Sequence, residues 1–409
     1  MSEFFQLLAG LLFLGFLIAI VWLPAWWLAG RVDPDRSSSL IRLPFSAGLA
    51  LTGYITGINL LGKLLDNSIH AVFVTVGLNL LVCVFLLYKK RAELGIAHLW
   101  AVRQLLLTVL LVAIVLSLPQ WYQAVSGNRW DEVASSSIHL TAPNQFAEGM
   151  FPPRHNAFPD ISIKYHYGFA ILSGTVHWVT GISSNVSIDI VSTGLWLFTF
   201  LFTVFWLLQI GITKIAAIWG GFAVLLGGGL SWLYLPWLQI YKGFQKVPSQ
   251  SLLTHSYDIE SSWVSNLLTV MRSQNIYLRN ADGDIFPLPF DIAISYQQHA
   301  VALGLALTLV AAYVFWLWQS KKEVAPRLLI LSIFCFGLIF LGHAVFGAMA
   351  SISAALVLLM LWLRRPSKVR FVQGAVFTLG VTILAFGHGG MMSTGPEYGA
   401  GTLLKLRDG

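Results

Sequence analysis

The chain has 409 residues, of which 56% are hydrophobic and only 11% charged, with a mean hydropathy of +0.73 and a formal net charge of +7. A soluble domain carries about 25% charged residues, so this composition excludes a soluble globular enzyme. It also excludes reading the positive charge as a nucleic-acid footprint, because Lys and Arg sit in short loops between apolar runs, where they set membrane orientation. The fold expected is an all-α polytopic membrane protein, since lipid offers backbone polar groups no partner outside the helix itself.

A crossing takes about 20 apolar residues, which gives about 10–11 transmembrane helices and two long external loops. In chain order the candidate spans are 4–30, 45–65, 71–88, 104–118, 167–182, 188–210, 215–238, 300–318, 328–346, 347–363 and 371–387. The first is too long for a cleavable leader and lacks a basic start. The two spans inside 328–363 must turn near Gly342-His343. Cys83 and Cys335 fall inside apolar runs and read as buried small hydrophobes, supporting neither a disulfide nor a metal site. The organisation expected is 1–103 as accessory helices, 104–387 as a module with external loops 119–165 and 239–298, and 388–409 as a short tail, either a natural end or a cut one.

Basic clusters fix the expected topology. Arg31, Arg36 and Arg42, then Lys89, Lys90, Arg91 and Arg103, then Lys321, Lys322 and Arg327, then Arg364, Arg365, Lys368 and Arg370 all belong on the cytoplasmic side. Loops 119–165 and 239–298 are then external. A parity conflict follows, because three candidate spans, 167–182, 188–210 and 215–238, separate two loops on the same side. Either 167–182, the least apolar of them, fails to cross, or the Gly-rich 215–238 breaks into two pieces.

Chemistry concentrates in the polar loops. Asp131 and Glu132 follow Trp130 near the start of the first. Adjacent carboxylates there suit a general base that deprotonates an acceptor hydroxyl, or ligands to a divalent cation that steadies a phosphate leaving group. Asp131 equally suits the cap of a short helix over 132–137. At the loop's end, Lys164 and His166 within KYHYG suit an anionic headgroup, or an ordinary aromatic belt with a snorkelling lysine. His155 and Asp160 lie in FPPRHNAFPD, where the prolines imply an extended, lidlike path. Gln298 and His299 open the span at 300, and a histidine at that depth needs a partner or a task. His343 in LGHAVFG is similar, and His388 in FGHGGMM is a weaker instance. His177 reads as a packed polar residue. Arg272 and Arg279 lie in the second loop, where either suits a phosphate. Asn280-Ala-Asp282-Gly-Asp284 reads as an Asp-Gly turn, since the other ligands of an EF-hand are missing. Asp189 sits at a span end and no other carboxylate lies within a candidate span, which argues against an ion-driven transporter.

The order of span, outer loop opening on WDE, Pro-rich stretch and YHYGFAILSGTVHWVTGIS resembles the first outer loop of GT-C fold membrane glycosyltransferases, the group of protein O-mannosyltransferases and lipid A aminoarabinose transferases. Thr180-Gly181 is similar to the small-residue turn that ends the following helix there. Leu23-Pro24 followed by Arg31, and Gln298-His299-Ala300, resemble features of large bacterial multi-spanning GT-C-like proteins. The acidic loop follows the fourth span rather than the first, which three added N-terminal helices would explain, and the C-terminal domain of many members is absent.

The resemblance implies a glycosyltransferase of the bacterial inner membrane. It would move a sugar from a polyprenyl-phosphate donor to a glycan, lipid or protein acceptor on the outer face, with inversion. Asp131 would be the general base beside Glu132. Lys164, His166, Gln298, His299, Arg279 and His343 would bind substrate. A divalent cation is the only cofactor these residues suggest, and no nucleic-acid partner is implied. The alternative is a non-enzymatic carrier or flippase, or an assembly partner in polysaccharide export, using the same groove without Asp131 as a base.

Overall fold

The computed structural model describes residues 2–33, 40–89, 111, 141–154, 167–226, 277–279, 285–287, 300–320 and 325–388. The described chain is an all-α polytopic membrane protein with one short β-ribbon. Its helices are α1 (Ser2–Val32), α2 (Arg42–Leu65), α3 (Ser68–Lys89), α4 (Thr141–Ala147), α5 (Gly168–Thr180), α6 (Ser184–Gln209), α7 (Lys214–Leu226), α8 (Ala300–Ser320), α9 (Pro326–Gly342), α10 (Ala344–Arg364) and α11 (Lys368–Gly387). Strands β1 (Tyr277–Arg279) and β2 (Ile285–Pro287) pair antiparallel with Arg279 opposite Ile285. The Asp-Gly turn expected over 280–284 lies outside the described residues.

Among the described residues, seven helices are long and apolar enough to cross a membrane: α1, α2, α3, α6, α8, α10 and α11. Helices α7 and α9 are apolar but shorter. Candidate span 104–118 lies outside the described residues except for Leu111, as does the second half of 215–238. The expected hairpin near residue 343 is present, with α9 ending at Gly342 and α10 starting at Ala344.

Burial separates an interior from a lipid-facing rim. The most apolar windows of α2, α8 and α6 are 61%, 61% and 56% buried, against 22% for α1, 28% for α3 and 17% for α10 and α11. The rim helices display Leu12, Leu81, Leu359 and Leu379 outward. In water such a surface would drive association; in a bilayer it meets lipid tails. The core contains Phe45, Ile55, Ile58, Ile171, Phe202, Leu303, Val310, Tyr313, Leu338 and Ile339.

One end of the bundle gathers the basic residues. Arg42 leaves the loop where the sequence placed it and is buried in the first turn of α2. Its Nε and Nη2 donate to the Trp26 carbonyl at 3.3 and 3.0 Å, and its guanidinium lies 4.2 Å over the Trp26 ring. The planar fork allows stacking and donation together. Beside it the Tyr313 hydroxyl donates to Asp33 Oδ2 at 2.9 Å. Rings of Phe45, Phe202, Trp206 and Trp316 surround Tyr313 at centroid distances of 4.9, 5.7, 5.4 and 5.6 Å. Asp33 is only 4% exposed, so the interior does hold a carboxylate that hydropathy alone did not reveal.

Pro24 sits inside α1 without breaking it. A proline has no N–H, so the carbonyl four residues earlier, Ile20, loses its helical donor. The Cys83 thiol of α3 donates to that carbonyl at 3.2 Å. Cys83 is therefore a partner for a proline-orphaned acceptor as well as a small apolar residue, and the two cysteines remain free and buried.

The parity conflict is resolved by α5. Its 13 residues span about 20 Å, short of the roughly 30 Å hydrocarbon layer. Both of its ends meet the end of the bundle remote from the basic residues. At its start, the Tyr167 hydroxyl donates to Asn59 in the penultimate turn of α2. At its finish, Trp178 lies edge-on to Phe73, near the start of α3, with centroids 5.5 Å apart. Thr180 lies against α1 so closely that a Cβ on Gly10 would sit 2.7 Å from its Cα. Gly181 then reverses the chain at φ +69°, where a glycine carries no steric penalty. Ser184 at the start of α6 bonds Asn144 of α4, still at this loop end. Helix α6 runs from there to the basic end, where Trp206 meets Tyr313, and α7 starts back. Residues 167–182 thus enter and leave on one side, the side where α8 also starts, with Leu303 against Gly168.

Candidate functional site at the loop end

The loop end carries a buried polar cluster built from residues far apart in sequence. Asn59, fully buried in α2, donates through Nδ2 to the His388 carbonyl at 2.8 Å and accepts the Tyr167 hydroxyl on Oδ1 at 2.9 Å. Lys63, one turn further along α2, donates its ammonium to the same His388 carbonyl. One side chain thereby ties α2 to the entrance of α5 and the exit of α11. Burial pushes the Tyr167 phenol well above its ordinary range, so it stays protonated and remains a donor. His388, just beyond the last turn of α11, is 4% exposed. Its pKa is pushed down to about 4, first by burial and second by the nearby Lys63 ammonium, so the ring is neutral at ordinary pH. Its Nε2 is buried without a hydrogen-bond partner among the described residues.

Segment 141–154 packs onto this cluster. Phe151 seats on Gly62, where a Cβ would lie 2.6 Å from the ring, and stands edge-on to Phe146 and Tyr167 at 6.4 and 5.6 Å. The Ser68 hydroxyl donates to the Phe146 carbonyl at 2.6 Å. The Gln145 side chain accepts the Arg154 N–H at 2.7 Å and donates to the Arg154 carbonyl at 3.0 Å. The start of the Pro-rich stretch is thus an anchored plug rather than an extended lid, because Phe151 buries a whole ring where α2 offers only a glycine.

His343 lies close to the same region. Its Nδ1 accepts the Phe346 N–H at 3.5 Å as the N-cap of α10, and its ring stands edge-on to Phe346 at 5.2 Å. Burial shifts its pKa downward. Gly168 at the start of α5 abuts the Leu341 carbonyl, and Gly304 of α8 abuts His343, so α5, α8 and α9 converge there. His177 turns back on its own chain, with Nδ1 against the Ile182 carbonyl, as a packed polar residue should. Asp189 lies in the second turn of α6.

Of the remaining expected site residues, Asp131, Glu132, Lys164, His166, Gln298 and His299 lie outside the described residues, as do His155, Asp160 and Arg272. Arg279 ends β1, and only its backbone is described. Among the described residues, no three His, Cys, Asp or Glu side chains cluster as metal ligands. The residues that sequence reasoning passed over are Asn59 and Lys63. A lone lysine at the far end of a span whose sisters carry basic residues at the opposite end was the available signal.

No family model, curated protein or solved structure matches the chain.

Proposed function

We propose that the chain is a GT-C-type glycosyltransferase. It would transfer a sugar from a polyprenyl-phosphate donor to an acceptor at the outer face of the bacterial inner membrane. The observation that carries this reading is the loop-end cluster, where Lys63, Asn59, Tyr167 and a neutral His388 meet at the boundary between an apolar bundle and long polar loops. A lipid-linked donor asks for this juxtaposition, with apolar surface for its tail and nitrogen donors at the interface for its phosphate. The non-crossing α5 supports the reading further, because segment 141–154 and the start of α6 then share the side where the cluster lies. The positive-inside rule makes that side the outer one.

In this mechanism Asp131 takes the proton of the acceptor hydroxyl as that oxygen attacks the anomeric carbon, and the phosphate leaves from the opposite face with inversion. Glu132, Lys164, His166, Gln298, His299, Arg279 and His343 remain proposed partners of the substrate. The test is sugar transfer by purified protein from a panel of polyprenyl-phosphate sugars, comparing wild type with Asp131→Asn. Turnover that falls at least 100-fold in the variant, with donor binding retained, is the expected result. An unchanged rate removes Asp131 as the base, and binding without turnover in both proteins turns the reading to a carrier of lipid-linked sugars.

A further inference from the structure

Lys63 differs from every other basic residue packed in the bundle. The described cations of the membrane helices gather at one end, as Arg31, Arg42, Lys89, Arg327, Arg364, Lys368 and Arg370. Lys63 lies in the last turn of α2, at the other. A lysine there ordinarily snorkels outward. This one spends one N–H on the His388 carbonyl, and no other described residue accepts from it. Asp66, three residues on, caps α2 in a left-handed conformation and forms no ion pair with it.

A second, independent feature lies on the residue that Lys63 contacts. The imidazole of His388 is more than nine-tenths buried, and its Nε2 has no partner among the described residues. Leaving a buried polar atom unpaired is costly, so its retention asks for a reason. The Lys63 ammonium lies near enough to disfavour a second positive charge on the ring, which leaves a neutral imidazole beside a cation; in its Nε2–H tautomer the ring donates. Helix α5 also begins here without a side-chain cap, and helix N-termini favour anions. Asn59 and Tyr167 satisfy each other and hold the backbone in place.

We propose that Lys63 and His388 form an anion subsite for a tetrahedral phosphate ester, with Lys63 supplying charge and His388 Nε2 a directional N–H. This deepens the proposed function and rests on it for the identity of the natural ligand. Two sources share the chemistry, the phosphate of a polyprenyl lipid and free phosphate, and they are separable. Purified full-length protein in nanodiscs is titrated with polyprenyl monophosphate and with inorganic phosphate, following intrinsic tryptophan fluorescence and thermal midpoint.

Lys63→Gln should weaken polyprenyl phosphate binding at least 10-fold, Lys63→Arg should hold it within 3-fold, and Arg327→Gln at the opposite end should leave it unchanged. His388→Gln, which offers a donor of different reach, should weaken it 3-fold or more. Competition by millimolar inorganic phosphate assigns the subsite to the phosphate alone; none assigns it to the phosphate presented on its lipid. Lys63→Gln protein that keeps its thermal midpoint and binds polyprenyl phosphate like wild type overturns the proposal, as does wild-type protein that binds neither probe. Wild-type protein that binds the lipid through Lys63 but transfers no sugar removes the proposed function and leaves the subsite.

Discussion

Asn59→Ala is the sharpest test of the loop-end architecture. The side chain is fully buried and makes two hydrogen bonds at once, to the His388 carbonyl at 2.8 Å and from the Tyr167 hydroxyl at 2.9 Å. Truncation leaves the Tyr167 hydroxyl without its acceptor in a dry interior, at about 1–3 kcal/mol when no replacement is found, while the His388 carbonyl keeps its bond from Lys63. Hydrogen bonds between membrane helices measure less, averaging about 0.6 and reaching about 1.7 kcal/mol, because the unfolded chain in lipid finds partners too. The expected loss is therefore about 1–3 kcal/mol in total. Tyr167→Phe removes only the donor and should cost about 0.5–1.5 kcal/mol.

The assay is thermal or denaturant unfolding in a fixed detergent, run as a double-mutant cycle. Coupling between Asn59→Ala and Tyr167→Phe should be about 0.5–1.5 kcal/mol, the lower part of the range for residues in one hydrogen-bond network. Asn59→Ala paired with Tyr313→Phe, at the other end of the bundle, should be additive. Zero coupling in the first pair would refute the claim that Asn59 joins α2 to the start of α5.

Three further outcomes follow from particular contacts. Cys83→Ala should destabilise by about 0.5–1.5 kcal/mol through loss of the donor to the Ile20 carbonyl, and by less in a Pro24→Ala background, where the helix supplies its own N–H; equal losses in the two backgrounds would sever the link between proline and thiol. In a chain with Cys83→Ser and Cys335→Ala, a membrane-impermeant maleimide should label Ser183→Cys and Asn67→Cys from one side and Ile212→Cys and Arg365→Cys from the other, whereas labelling of Ser183→Cys with the second group would show that 167–182 crosses. His388 has a folded pKa near 4 against 6.5 for the free side chain, so the unfolded chain binds more protons between those values and stability falls as pH drops through that window; the thermal midpoint should be level above about pH 6.5, and His388→Gln should remove most of the acid-side decline.

Period and composition made the lipid-facing elements legible. Helices α1, α3, α10 and α11 announce themselves because one apolar run both crosses the membrane and faces lipid. Helix α5 was harder for a physical reason. Its residues Phe169, Ile171 and Val176 are as apolar as those of a span because they are buried, and burial against protein leaves the same mark on a sequence as burial in lipid. Only counting sides exposed the conflict, and only contacts with Asn59, Phe73 and Gly10 resolved it. The same ambiguity hid Asp33 and Arg42. Charge in a linker looks solvated until an aromatic shell closes over it.

The site divides along similar lines. The polar loops advertised Asp131, Lys164 and His166 because they stand out against an apolar background. Asn59 and Lys63 lie inside a segment that reads as an ordinary span, and their meaning depends on Tyr167 and His388, which lie 108 and 325–329 residues away along the chain. Such distances carry no local pattern. What the sequence does hold is an inconsistency of sign, since Lys63 is a cation at the end of α2 where the other spans carry none. A positive charge at a membrane boundary against the prevailing bias needs a compensating anion. Among the described residues no carboxylate supplies it, for Asp66 forms no ion pair with Lys63. A ligand phosphate would meet that need and satisfy His388 Nε2 in the same step. A cation with donors to spare and an unpartnered ring nitrogen share one remedy, which makes a stronger case than either alone, and Lys63→Gln tests both through one exposed side chain.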